Sequence, residues 1–342
     1  MDNLTHSLVG WALAETGLKC RTRKGLAACV LAANMPDIDV FFGGVPWAPL
    51  AMHRGFTHGI VGGVLVMPLL LAGLLWLVDR WQVWRGTIGE AAAPLHAGWL
   101  IGLCYLGAVT HPLLDLQNVY AIQLLSPWSD HWFHADGLFI VSPWLLVLLG
   151  AGIWRARKSQ AYGRRAGHPA VLALAGAALF IAINIGISAL AWRAPETDMP
   201  HARPDRVFAA PGPVRFWQRE VIWRQNGAIA RGQYDPLHSV LALRTYGQPF
   251  ADGMDSPAVV LAVRKSAVVR DFLDWAQLPF ARVTVSGCTA RVTIGDARFA
   301  DGMVARGFSA SAVVPHPGSG CGVEQPQGTR PLVQVPVGAG RS

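Results

Sequence analysis

Four long stretches without a charged residue constrain this chain more than any other feature. They cover residues 59–78, 91–114, 137–154 and 169–192. A helix needs about 20 apolar residues to cross a bilayer, and tilt and packing widen that range. Over the whole chain 52% of residues are hydrophobic and only 15% are charged, too few charges for an ordinary soluble protein. The stretches therefore predict a polytopic membrane bundle.

Two shorter apolar segments precede these stretches. Residues 4–18 include Glu15, and residues 25–35 are too few to span a bilayer comfortably. We expect two short helices that pack within the bundle. The chain opens Met1-Asp2-Asn3 without a basic region, so a secretory signal peptide is not expected. The predicted fold is mainly α, with four long and two short helices and a small β-rich C-terminal domain.

Basic residues in short loops predict the orientation of the bundle, because such residues accumulate on the cytoplasmic side. The loop after residue 154 and the loop after residue 78 are the basic ones, together with residues 21–24. The resulting topology has six crossings with both termini outside. Residues 36–58, residues 115–136 and everything after Trp192 are then extracytoplasmic.

The composition predicts four regions along the chain. Residues 1–193 form the membrane domain, and residues 194–206, which contain Pro195 and Pro200, form a linker. Residues 207–314 form the β-rich domain. Residues 315–342 are rich in Pro, Gly and Gln and are expected to be a flexible tail.

Turn residues divide the β-rich domain into elements. Asn226-Gly227 between strand-forming residues predicts a hairpin with a type I′ turn. A second hairpin is predicted around Gly287-Cys288. Further strands are expected at residues 240–246 and 259–263, and a short helix is expected at residues 267–276.

The five cysteines fall into two groups. Cys20, Cys29 and Cys104 lie in the membrane part without a CxxC spacing, so a thiolate metal site is not expected. Cys288 and Cys321 are the two cysteines of the predicted outer domain. An oxidising compartment favours a disulfide between them over two buried free thiols.

The net charge of +8 does not predict a nucleic-acid partner. The basic residues of the membrane part are explained by topology, and those after residue 203 are scattered, with no Lys/Arg run or stacked aromatic motif. The partners expected are instead membrane lipid, whose anionic headgroups attract such a surface weakly, and a small-molecule or lipid substrate.

Side chains that can bind metal lie at the ends of several apolar segments. The predicted topology places all of these ends on the same membrane face. His111 and Asp115, spaced i and i+4, share a helix face. An imidazole and a carboxylate there suit Zn²⁺ or a related divalent ion, although a His–Asp hydrogen bond inside the bundle explains the pair equally well. The whole set comprises His6, Asp37, Asp39, His53, His58, His111 and Asp115.

The remaining members of the set have weaker patterns of their own. Pro36-Asp37-Ile38-Asp39 is typical of a turn, but carboxylates at the hydrocarbon edge are costly unless they are paired or bind metal. His53 and His58 flank Arg54, which suits an anionic substrate group or, alternatively, snorkels to the interface. A lone residue such as His6 is more often structural. The predicted topology places all of these residues on the same membrane face, and this shared location predicts a metal site.

These residues resemble those of the bacterial membrane-bound metal-dependent hydrolase family, the LexA-regulated type. The resemblance rests on Thr5-His6-Ser7-Leu8-Val9-Gly10, Pro36-Asp37-Ile38-Asp39, His53-Arg54 with Thr57-His58, His111 to Asp115, and Ser126-Pro127-Trp128-Ser129-Asp130. It covers most of the chain, closely through about residue 145. One departure is Ser142, where the family often has Asp. His111-x-x-x-Asp115 is also distantly similar to zinc-dependent phospholipase C.

The resemblance implies a multi-pass protein of the bacterial inner membrane that hydrolyses a lipid or membrane-associated ester or phosphoester. Its metal is expected to be Zn, with Mn or Mg as alternatives. The expected ligands are His6, Asp37, His53, His58, His111 and Asp115. Asp39 is expected to be a bridging ligand or general base, and Arg54 a clamp for the substrate anion.

A non-catalytic membrane scaffold or transporter is the competing hypothesis. Intramembrane His and Asp residues also serve ion pathways, but a pathway requires polar residues along the bundle. Here they gather at one end, which favours the hydrolase. A purely structural metal in a closed site would fit the same residues.

Overall fold

The structure is a computed structural model that describes residues 1–42, 54–89, 92–162, 167–198, 203–240, 243–300 and 307–316. Among these residues, helices make up the first part of the chain, and two antiparallel sheets with two short α-helices make up the second. The predicted combination of a helical bundle and a C-terminal β-sheet domain is confirmed.

Within the described ranges the bundle contains six α-helices: α1 (Asn3–Glu15), α2 (Gly25–Ala32), α3 (Ile60–Trp84), α4 (Ala97–Asp115), α5 (Pro143–Ala161) and α6 (His168–Asp198). Helix α3 begins with a π-helical segment, Ile60–Val66. Short 3₁₀ helices, Leu18–Arg21 and Met35–Phe42, follow α1 and α2.

Among the described residues, three helices are long and apolar enough to cross a membrane. They are Ile60–Trp84, Ala97–Asp115 and His168–Glu196. Helix α5 has a similar length, but its last turns carry Arg155, Arg157 and Lys158. A crossing by α1, α2 or α5 and the outward placement of both termini stay predictions.

Helix α2 lies between α1 and α4 with its backbone in contact with both. A Cβ atom at Gly10 of α1 or at Gly107 of α4 would stand 2.6 Å from the same atom, the Cys29 carbonyl oxygen. Only glycine fits at either position. Small residues permit this close approach of helices, and it holds them together by van der Waals contact.

A five-stranded antiparallel sheet follows the bundle. Its strands are β1 (Arg206–Pro211), β2 (Arg219–Gln225), β3 (Ala228–Tyr234), β4 (Leu243–Thr245) and β5 (Phe250–Ala251), in the order β1-β2-β3-β4 with β5 also on β3. Asn226 and Gly227 connect β2 and β3 with φ angles of 51° and 72°. Positive φ at both central positions is what a type I′ turn requires, so the predicted hairpin is confirmed.

A three-stranded antiparallel sheet and two helices complete the C-terminal part: α7 (Pro257–Lys265), α8 (Ala267–Trp275), β6 (Pro279–Ser286), β7 (Thr289–Asp296) and β8 (Ser309–Pro315). The helix predicted at residues 267–276 and the hairpin at Gly287-Cys288 are confirmed. Cys288 is disulfide-bonded. Its predicted partner Cys321 and residues 317–342 of the predicted tail lie outside the described residues, whereas Pro315, predicted to begin the tail, ends β8.

The strand predicted at residues 259–263 is wrong, because this segment is helix α7. A short apolar run cannot be assigned to strand or helix by periodicity alone. Pro257 in the first turn and Arg264 and Lys265 in the last turn are typical helix-end residues. Val259 and Ala262 are three residues apart and lie on one face of α7. Their side chains pack in the core against β7 and β8.

Asp136 joins the bundle to the five-stranded sheet. Its carboxylate is buried and accepts hydrogen bonds from His134 Nδ1 at 2.9 Å, Trp192 Nε1 at 2.9 Å and the Ala209 backbone N–H at 2.7 Å. These donors belong to the loop before α5, to α6 and to β1. One carboxylate therefore fixes three segments of the chain at the domain junction.

Candidate metal centre

Four of the predicted ligands meet at one end of the bundle. The 3₁₀ helix Met35–Phe42 carries Asp37, and the turn before α3 carries His58. His111 and Asp115 are one turn apart at the end of α4. All four residues are buried, and their ligand atoms lie within 4.8 Å of one another. This group could hold a divalent metal ion.

The imidazole nitrogens lie at the middle of the group. His58 Nε2 is 2.9 Å from His111 Nε2 and 3.3 Å from Asp37 Oδ1. His58 Nε2 is also 3.3 Å from Asp115 Oδ2, and His111 Nε2 is 3.4 Å from Asp37 Oδ1. Two nitrogens and two carboxylate oxygens thus surround one small volume.

The hydrogen bond at the far side of the His111 ring fixes its tautomer. Nδ1 is 2.7 Å from the carbonyl oxygen of Ala33, which only accepts hydrogen bonds. Nδ1 therefore carries the proton of the neutral ring and donates it. Nε2 is left with a lone pair that faces the centre of the group.

A relay of hydrogen bonds fixes His58 in the same way. Its Nδ1 lies 3.1 Å from Thr57 Oγ1, and the Thr57 hydroxyl donates to Asp39 Oδ2. Asp39 Oδ2 is itself 3.7 Å from His58 Nδ1. Burial lowers the pKa of His58, which favours the neutral ring that binds metals. Its Nε2 lone pair also faces inward, and a carboxylate behind a histidine is typical of metal sites.

The donor set fits a divalent cation. Four acceptor atoms converge, whereas buried acceptors normally face donors. Asp115 Oδ2 is buried and accepts no hydrogen bond within the described part of the chain, although Arg54 Nη1 forms an ion pair with it at 3.4 Å. Tetrahedral zinc with bonds of about 2.0–2.2 Å separates its ligand atoms by roughly 3.3–3.6 Å. Most of the separations above are close to that range.

The other predicted site residues lie beside this group or outside the described residues. His6 is buried, stacks on the His111 ring with centroids 4.0 Å apart, and has Nε2 3.2 Å from Asp115 Oδ1. The Met1 amino group also contacts Asp115 Oδ1. Asp39 lies behind His58, and His53 falls outside the described residues. The assignment of His6, His53 and Asp39 as ligands therefore stays a prediction.

Arg54 is buried next to the group rather than exposed at the interface. Its Nη1 lies 3.4 Å from Asp115 Oδ2 and donates to Asn118 Oδ1 at 3.2 Å. The guanidinium also stands over the Tyr120 ring, 5.1 Å from the centroid. An Arg beside a metal-binding carboxylate is placed to bind a substrate anion, and this role stays a prediction.

Two residues of the site were not singled out by the sequence. Thr57 precedes His58 directly, and only the turn geometry shows that its hydroxyl links His58 to Asp39. Asn118, three residues after Asp115, connects Arg54 to the Tyr120 backbone N–H. The sequence offered no signal for either beyond its proximity to a predicted ligand.

A family model described as YdjM inner membrane protein matches residues 1–191. The inner membrane protein YbcI of Escherichia coli (strain K12) is 29% identical over 167 residues, which cover 47% of this chain and 83% of YbcI. The uncharacterized protein YfhP of Bacillus subtilis (strain 168) is 26% identical over 171 residues, which cover 46% of this chain and 47% of YfhP. The chain thus spans about half the length of YfhP. No solved structure matches the chain.

Proposed function

The chain belongs to the YdjM inner membrane protein family, and from this premise we propose that it is an inner-membrane hydrolase that depends on a divalent metal. The observation that supports the proposal best is the inward-facing set of acceptors on Asp37, His58, His111 and Asp115. Both imidazoles present a lone pair to the centre because their Nδ1 atoms are bound elsewhere.

Asp37, His58, His111 and Asp115 would hold the ion. When bound, a divalent ion supplies Lewis-acid activation of a water molecule and of the substrate oxygen. Ala33 O and the Thr57–Asp39 relay keep the two imidazoles in the tautomer that binds metal. His6 holds Asp115 through Oδ1, which leaves Oδ2 directed at the centre.

Arg54 supports an anionic substrate. Its guanidinium contacts Asp115 Oδ2 at 3.4 Å, so it lies within a few ångströms of the group where a reacting oxygen would bind. Its Nε atom is buried and has no hydrogen-bond partner among the described residues. An arginine with an unused donor suits a phosphate or carboxylate oxygen. We therefore favour a membrane-associated phosphoester, and an ester second.

A non-catalytic scaffold or transporter with a structural metal is the alternative. The closed packing of four protein ligands favours it, because structural sites fill their coordination with protein atoms whereas catalytic sites keep a position open. The arginine beside the ligands favours the hydrolase, since a structural ion needs no anion-binding neighbour.

Metal content tests the proposal. The detergent-purified chain, reconstituted with Zn²⁺ or Mn²⁺, should hold a stoichiometric ion by elemental analysis, and His111→Ala/Asp115→Ala should lose it. His96→Ala/Asp130→Ala is the matched control, because both side chains are exposed and lie outside the group. Metal-dependent cleavage of p-nitrophenyl phosphoesters or esters by the wild type would then support the hydrolase. Absence of metal from the wild type after reconstitution would overturn it.

A further inference from the structure

A cavity of about 620 Å³ lies between the bundle and the five-stranded sheet. Asn118 and Tyr120 form part of its wall on the bundle side, and β1, β2 and β3 contribute residues on the other. Cavities of 300–1,000 Å³ at domain junctions are where proteins bind small molecules. The wall residues Asn118 and Tyr120 both contact Arg54, which in turn contacts Asp115. One layer of side chains therefore separates the cavity from the candidate metal centre.

That layer contains hydrogen-bond donors without an acceptor. Asn118 is 1% exposed, and its Nδ2 atom has no hydrogen-bond partner among the described residues. The Oδ1 atom of the same amide accepts from both Arg54 Nη1 and the Tyr120 N–H, which fixes the orientation of the amide. Arg54 Nε is also without a partner in the described part of the chain. Buried donors left unpaired cost free energy, so they call for an acceptor-rich ligand.

Three arginines, Arg215, Arg219 and Arg298, and one carboxylate, Glu220, line the cavity. Arg219 lies in its wall and is buried, and all its hydrogen bonds go to neutral acceptors on Ser188, Asn184, Phe216 and Gln218. It makes no ion pair among the described residues. The nearby Arg298, by contrast, pairs with Asp296 at 2.8 Å. Asp136 acts on Arg219 electrostatically from outside hydrogen-bonding distance, and Glu220 carries the one negative charge in the wall. The wall therefore keeps a net positive charge, which attracts an anion into the cavity.

The side of the cavity formed by the loop before α5 is apolar. Leu138, Phe139 and Ile140 line it, and Pro211 and Phe299 contribute further apolar surface. A ligand that satisfies both parts of the wall has an anionic head and a hydrocarbon portion. Free phosphate matches only the polar part, and an uncharged lipid only the apolar part.

We propose that this cavity binds the substrate of the hydrolase proposed above, and that the substrate is an amphiphilic phosphoester. Its anionic oxygens accept from Asn118 Nδ2, with the Arg54 charge directly behind, and its hydrocarbon portion lies along Leu138 and Ile140. The inference rests on the proposed function in one respect, namely that the bound phosphoester is a substrate. Binding of the phosphoester in the cavity requires no metal.

Binding to the full-length, detergent-purified chain in EDTA tests the inference. Dodecyl phosphate, dodecanol and inorganic phosphate are titrated separately by isothermal calorimetry. Dodecyl phosphate should bind at least about tenfold tighter than either dodecanol or phosphate, a difference of roughly 1.4 kcal/mol. Equal affinity of dodecyl phosphate and dodecanol would overturn the anionic part of the site, and equal affinity of dodecyl phosphate and phosphate would overturn the apolar part.

Two variants place the binding in this cavity. Asn118→Asp keeps the acceptor for Arg54 and Tyr120 but replaces the free donor with an oxygen, and should weaken dodecyl phosphate binding about tenfold or more. Ala210→Trp adds a large side chain to the cavity wall on β1, and should weaken dodecyl phosphate binding similarly. Asn226→Asp, the same chemical change in an exposed turn outside the cavity, should bind as the wild type does. Unchanged affinity in both cavity variants would overturn the inference.

The outcome is separable from that of the metal test. If dodecyl phosphate binds in EDTA while the reconstituted chain holds no metal, the cavity assignment is supported and the hydrolase is not. If metal and phosphoester cleavage are found but both cavity variants bind normally, the hydrolase is supported and the cavity assignment is wrong.

Discussion

His58 Nε2 and His111 Nε2 face each other at 2.9 Å. In each neutral ring the proton is on Nδ1, which donates it to a neighbouring oxygen. Two lone pairs at this distance repel each other unless a cation lies near both. The carboxylate oxygens of Asp37 and Asp115 increase the negative potential at the same point. A divalent ion removes this conflict, since it prefers neutral imidazole and ionised carboxylate together.

Asp39→Asn should reduce metal affinity roughly 10–100-fold, because a group behind a metal-binding histidine fixes its tautomer and raises its basicity. Asp39 receives the Thr57 hydroxyl that binds His58 Nδ1. Competition with a chromogenic chelator measures the affinity. Asp130→Asn, an exposed aspartate on the same predicted face, is the control and should bind metal normally. Equal affinity in the two variants would remove Asp39 from the site.

Asp136→Ala should lower the free energy of unfolding by at least about 3 kcal/mol, because three buried donors lose a charged acceptor at once. These donors are His134 Nδ1, Trp192 Nε1 and the Ala209 N–H. Denaturant unfolding gives the free energy, and limited trypsin digestion reports loosening of the domain junction. Asp130→Ala serves as the matched surface change. If the two variants unfold and digest alike, Asp136 does not anchor the sheet to the bundle.

Acid should weaken the C-terminal sheet domain through Asp296. Burial alone would raise the pKa of this carboxyl, but Arg298 and backbone N–H donors hold it below the ordinary value of 3.8. A depressed folded-state pKa contributes stability that is complete above the unfolded-state value and is lost as pH falls through the folded-state value. Melting temperatures between pH 6 and pH 2.5 should therefore fall more steeply in the wild type than in Asp296→Asn. Parallel curves would contradict this assignment.

Two cysteines allow the predicted orientation to be measured. Cys20 is free and exposed near the predicted cytoplasmic end of α1, whereas Cys288 lies in the predicted extracytoplasmic domain and is disulfide-bonded. After mild reduction, a membrane-impermeant maleimide should label Cys288 in intact spheroplasts and Cys20 only after permeabilisation. The Cys20→Ser variant identifies the first signal, and the Cys288→Ser/Cys321→Ser double variant identifies the second, because reduction of the predicted disulfide would free both of its thiols. The reverse pattern of labelling would invert the topology.

The sequence was sufficient to predict those parts of the molecule that depend on local pattern. Uncharged stretches predicted the helical bundle, and Asn226-Gly227 predicted a hairpin because positive φ at both positions is a local requirement. The i, i+4 spacing of His111 and Asp115 placed both residues on one face of α4 before any tertiary structure was known.

Features that depend on tertiary packing were not predictable in this way. Residues 259–263 fit a strand or a helix equally well until packing against β7 and β8 selects the helix. The sequence left Arg54 open between an anion clamp and an arginine that snorkels to the interface, and only the packing shows that it is buried between Asp115 and Asn118. Residues that act through a neighbour, such as Thr57 behind His58, have no spacing rule that could reveal them.

The close approach of Gly10 and Gly107 to one carbonyl oxygen, that of Cys29, connects these glycines to the candidate metal centre. Gly10 lies four residues after His6 on α1, and Gly107 lies four residues before His111 on α4. A methyl group at either position would push α1 or α4 away from α2. Because α1 carries His6 and α4 carries His111 and Asp115, the shift would move these side chains with the helix. The spacing of the candidate ligands therefore depends in part on two positions that carry no side chain.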